Sequence, residues 1–171
     1  MERVFAVIEA VALAVWVGAL CAFAFVFAPI SFRFVTDLDR FGALIGAVLG
    51  TLNVLGYTCG AVALLAVFVR ARDDGRLSRA SALRALIVVA MLAIVVVEAA
   101  VVMPAMHAAA ASFGGSFAAA APGDPARARY DRLHGVSSAL YGVVLVLGFA
   151  AIALCTLAHP GDSGPARLYR R

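Results

Sequence analysis

The sequence contains no lysine: all 14 of its cationic residues are arginine, and only 14% of its 171 residues are charged. A soluble domain carries about 25% charged residues, so there is too little polar surface here to coat a water-soluble globule of this length. Cysteine is scarce. Cys21, Cys59 and Cys155 each fall inside an apolar run and none has CxxC spacing, which excludes a disulfide framework or zinc site and leaves buried thiols. Hydrolytic signatures are missing as well. There is no GxSxG, no HExxH, no phosphate-cradling glycine loop and no paired Asp/Glu motif on one helix, so no catalysis is expected. The net charge of +4 comes without any nucleic-acid-reading motif. Its arginines lie between apolar segments, where they orient a chain in a membrane and meet anionic headgroups.

What is present is apolar. Hydrophobic residues make up 64% of the chain, and the mean hydropathy is +1.01. Alanine and valine dominate, a composition that fits a GC-rich bacterial coding style. A spanning helix needs about 20 apolar residues, and four runs qualify: Val4–Phe27, Gly42–Val69, Leu83–Met103 and Gly135–Leu157. Ala28-Pro29 ends the first, Arg70 to Gly75 follows the second, Pro104 closes the third and His159-Pro160 ends the fourth. The expected fold is an all-α integral membrane four-helix bundle in one domain over 4–157, with a short basic tail over 158–171. The lipid bilayer is its first partner. A signal peptide is a poor reading of the first run, which carries Glu9 and runs too long for an h-region. Leu20 before Cys21 also argues against lipoprotein cleavage.

Arginines set the expected topology. Nine lie at the N-terminus, in the second loop and in the tail, against five (Arg33, Arg40, Arg127, Arg129, Arg132) in the first and third loops. The positive-inside rule then places both termini in the cytoplasm of a cell whose inner membrane holds the protein as a multi-pass chain. The loop from Pro104 to His134 becomes the main extracytoplasmic feature, either flexible or a short interfacial helix.

Polar groups inside the runs are the candidate functional residues. Gly42, Gly46, Gly50, Gly56, Gly60, Asn53 and Tyr57 share an arc of about 120° on the second helix. Small residues let helices approach closely in lipid; alternatively they open a groove that Asn53 and Tyr57 line. On the fourth helix His134, Ser138 and Tyr141 stack at i, i+4 and i+7 with Ser137 beside them, a face expected to look inward. An ionisable group within a span is costly and marks a functional site by default. Glu9 lies near the cytoplasmic end, free to snorkel or be protonated. Glu98 lies near the outer end of the third run and faces His134 at the same rim, as a structural pair or as a proton or ligand site. Met103, Met106, His107 and His134 gather thioether and imidazole ligands that suit reduced copper. His107 and His134 are the only two histidines at one face for a haem.

These residues carry a resemblance. Trp16-Val17-Gly18 followed by Ala28-Pro29-Ile30-Ser31-Phe32 resembles the first helix of the transmembrane-protein-205-like family. Phe41-Gly42-Ala43-Leu44-Ile45-Gly46 is similar to its second helix, and Tyr130 to Ser137, with Leu133-His134, to its closing motif. The resemblance implies a four-helix membrane protein, and it marks Trp16, Gly18, Pro29, Phe32, Gly42, Gly46, His134 and Ser137 as family-pattern residues. Tyr130 stands where a Phe is more usual and Tyr141 where an amide is. The copper-resistance D membrane proteins have a similar Trp-x-Gly helix. The expected role is to bind or help move a small solute or soft metal around Glu98, His134, Ser137, Ser138 and Tyr141, with Asn53 and Tyr57. The competing expectation is an accessory subunit of a larger membrane complex or a homo-oligomer; a bis-histidine haem carrier stands third.

Overall fold

The computed structural model describes residues 2–73, 78–113, 115–117, 120–121 and 123–157. The expected tail over 158–171, with Arg167, Arg170 and Arg171, lies outside these, as does Arg76. Among the described residues four helices are long and apolar enough to cross a membrane, and all regular structure is helical. The first span joins α1 (Glu2–Ala22), a π-helical turn (Phe23–Phe27) and α2 (Ala28–Phe34). The second is α3 (Leu38–Asp73). The third joins α4 (Arg79–Val97), a second π-helical turn (Glu98–Val102) and α5 (Met103–Ser112), and the fourth is α6 (Pro125–Leu157).

The helices outrun the apolar stretches that announce them, because their ends are capped by polar residues. Asp37 Oδ1 accepts from the backbone N–H of Asp39 at 2.9 Å and of Arg40 at 3.2 Å. Ser78 Oγ accepts from Ser81 N–H at 3.1 Å, and Asp124 Oδ1 from Ala126 N–H at 2.7 Å, ahead of α6. Such caps satisfy donors that the first turn leaves open. Neither Pro29 nor Pro104 ends its helix, contrary to the sequence expectation. Each sits six residues after the first residue of a π-turn, whose closing bonds run from Ala28 N–H to Phe23 O and from Met103 N–H to Glu98 O. The wider turn absorbs the missing proline N–H and the clash of its ring with the preceding turn. Within the stretch from Pro104 to His134, residues 104–112 and 125–134 are helical.

The spans pack as a ring, the first against the second, second against third, third against fourth and fourth against first. Leu13, Trp16, Val88, Met91, Val144 and Ala151 fill the centre. A register relation runs through this core. Glu9, Leu13, Trp16 and Leu20 are buried on the first span, and Arg84, Val88, Met91 and Val95, each 75 residues on, are buried on the third. On the second and fourth spans, 88 residues apart, the inward residues match too: Leu49 with Ser137, Asn53 with Tyr141, Gly60 with Gly148, Ala63 with Ala151. Spans one and two thus form a hairpin whose spacing of buried residues is repeated in spans three and four.

The glycines divide in two. A Cβ at Gly56 would lie 2.8 Å from Trp16 Nε1, and one at Gly60 2.7 Å from Leu92 Cδ2. A Cβ at Gly148 would collide with Val17. These three let helices approach closely, as expected for Gly56 and Gly60. Gly46 and Gly50 have nothing within 4 Å, and Gly42 only Phe117 at 3.9 Å. Gly60→Val should cost about 1–3 kcal/mol through overpacking, read as a lower unfolding midpoint in detergent. Gly50→Ala should leave the midpoint unchanged or slightly raised.

Candidate functional site

Two buried polar clusters occupy the bundle interior, one mid-way along the spans and one at the base, where the first and third spans begin. The mid-bundle cluster starts at Glu98, the first residue of the second π-turn, which is 1% exposed. Ser137 Oγ donates to Glu98 Oε1 at 2.6 Å. The other oxygen, Oε2, is buried with no hydrogen-bond partner. Along the same inward face of α6, Tyr141 O–H donates to Asn53 Oδ1 at 2.8 Å, across the axis from the fourth span to the second. Tyr57 O–H points at the Val95 carbonyl at 3.5 Å, just before the π-turn. Asn53, Tyr57, Glu98, Ser137 and Tyr141 are thereby drawn toward one interior region.

Two of the expected members stand aside. Ser138 is exposed and returns its O–H to the His134 carbonyl at 2.9 Å, the local bond that serines make within helices. His134 is exposed and its ring stacks on Tyr130 with centroids 6.4 Å apart. The partner of Glu98 is thus Ser137. The inward stripe of α6 runs Ser137, Tyr141, Val144, Gly148, rotated from the His134–Ser138–Tyr141 stripe expected from the sequence. The depth also differs from expectation. The third span runs on 14 residues past Glu98 to Ser112, about 20 Å at helical rise, so the carboxyl sits mid-bundle rather than at the outer rim.

The thioether and imidazole residues differ in their burial. Met106 is buried, His107 beside it is exposed, and Met103 is half-buried. Among the described residues no group of three or more His, Cys, Asp or Glu side chains is placed to hold a metal ion.

The base cluster was missed in the sequence. Glu9, 1% exposed, receives Arg84 Nε at 2.7 Å on Oε1 and Arg70 Nη1 at 3.0 Å on Oε2. Cys155 Sγ lies 3.7 Å from Oε1. Arg84, also 1% exposed, turns its Nη2 back to Ser81 Oγ at 3.2 Å, and its Nη1 has no partner. The signal was available. Arg84 stands at the same helical spacing from Val88, Met91 and Val95 as Glu9 does from Leu13, Trp16 and Leu20, which puts both charges on buried faces.

The family described as "Domain of unknown function (DUF4149)" matches residues 11–112, more than half of the chain. The chain belongs to this family. Its match takes in most of the first span and all of the second and third, hence Asn53, Tyr57, Arg70, Arg84 and Glu98 of the two DUF4149 clusters, and leaves out Glu9, Ser137 and Tyr141. No curated protein and no solved structure matches the chain.

Proposed function

We propose that this DUF4149 protein is a non-enzymatic integral membrane protein that binds, and helps move, a small cationic solute, the proton included, at Glu98. The observation that carries this reading is the buried, partnerless Oε2 of Glu98 beside a satisfied Oε1. A carboxyl kept dry with one oxygen unused costs about 1–3 kcal/mol, which a bound proton or cation offsets. Three features support it. Glu98 lies on a π-turn, a distortion frequent at functional sites. Asn53, Tyr57 and Tyr141 supply an amide and two phenols toward the same interior. Finally, the repeat is broken here: the positions equivalent to Glu98 and Ser137 hold Phe23 and Leu49, so the polar pair is an addition to one hairpin rather than a requirement of the fold. The reading keeps the arginine-based orientation, with both termini cytoplasmic in a bacterial inner membrane. It also keeps a place among transmembrane-protein-205-like proteins, on the Leu133-His134 and Ser137 motif.

Dicyclohexylcarbodiimide tests it. A protonated carboxyl in apolar surroundings adds across one C=N bond of the reagent to an O-acylisourea, which rearranges to a stable N-acylurea retaining the whole reagent. Glu98 should be the labelled residue by peptide mass spectrometry, Glu98→Gln should abolish that label, and raising the pH or adding sodium or methylammonium should slow it. Labelling insensitive to pH and to every monocation tried, or absent from Glu98, would sink the reading.

A further inference from the structure

We propose that the base of the bundle holds a second binding site, for a phosphate-class oxyanion, built on Arg84 and the first turn of α4. The site is separate from Glu98 and does not depend on the role given to it. Arg84 is 1% exposed, and its Nη1 is buried with no partner. A guanidinium has five N–H donors in a fixed fork suited to planar and tetrahedral oxyanions. Here one donor serves Glu9 and one side serves Ser81. The bond to Ser81 folds the group back along its own helix, so the buried cation lies against the N-terminal turn of α4, a 19-residue helix.

That placement runs against the usual electrostatics. The N-terminus of a helix carries partial positive charge and favours anions; a cation there is repelled. The carboxylate of Glu9 answers part of this field, but it is shared with Arg70 and reaches Arg84 through Nε alone. Two features, the buried and unpartnered Nη1 and the placing of a cation on a helix N-terminus, therefore call for negative charge at one place. An oxyanion there would find the Nη1 donors and the Ser81 hydroxyl within the same turn. Phosphate chemistry has two sources at a membrane surface, a phospholipid headgroup and free phosphate. Basic recesses between spanning helices take lipid headgroups in this way.

Glu9 is then an internal competitor for the bound anion, and this gives the test its sign. The full chain, delipidated in an uncharged detergent, is melted with rising inorganic phosphate against chloride at matched ionic strength, or with added phosphatidylglycerol. Binding to the folded state raises the melting temperature in proportion to occupancy. Phosphate or phosphatidylglycerol should raise it in the wild type, and Glu9→Gln should lower the half-saturating concentration several-fold. Arg84→Gln should abolish the response. Ser81→Ala, which leaves the Glu9–Arg84 pair in place, should weaken it several-fold and guards against a misfolded Arg84 variant. A response to the lipid and not to phosphate assigns the site to headgroups; the reverse assigns it to the free anion. No response to either in the wild type and Glu9→Gln, or a response unaltered in Arg84→Gln and Ser81→Ala, overturns the proposal.

Discussion

Arg84→Ala is expected to lower the stability of the folded bundle by about 3–5 kcal/mol, the cost of removing one partner from a buried ion pair. The loss is large because Glu9 remains at 1% exposure and loses its 2.7 Å contact. Arg70 still reaches Glu9, which sets the lower end of the range. The double variant Glu9→Leu with Arg84→Met should recover most of the loss, since buried ion pairs exchanged for apolar residues of similar volume are often neutral or better. Reversible unfolding in mixed micelles measures both. A single variant within 1 kcal/mol of wild type would mean that the pair is hydrated.

The spans were legible because about 20 apolar residues admit little else, and Glu98 because a carboxyl within such a run is conspicuous. The ends were not. Pro104 reads as a stop in any local pattern, yet the π-turn over Glu98–Val102 carries the helix through it, and nothing in Glu-Ala-Ala-Val-Val announces a π-turn. That one distortion moves Glu98 from the rim to mid-bundle. The wrong partner followed from helix phase. His134 and Ser137 differ by about 60° on a helix, and only packing against the third span decides that Ser137 turns inward. Arg84 was hidden for a different reason. It sits one residue into the third apolar run and invites reading as a boundary charge, whereas its spacing to Val88, Met91 and Val95 places it on the buried face.

Glu98→Leu should stabilise the protein by about 1–3 kcal/mol while ending its carbodiimide labelling. Removing a buried acceptor that lacks a partner recovers its desolvation penalty, and the Ser137 hydroxyl can turn to the carbonyl one helical turn back. Glu98→Gln, which keeps the shape and one unsatisfied group, should melt near the wild type and also lose the label. The sign separates two roles that the geometry alone leaves equal. If the Glu98–Ser137 bond at 2.6 Å were a lock between the third and fourth spans, Glu98→Leu would destabilise. The positions one repeat earlier hold Phe23 and Leu49, so the first hairpin has no polar pair of this kind. A stability gain coupled to lost labelling is the signature of a site held against the interests of folding, and an uncompensated loss would return Glu98 to the architecture of the bundle.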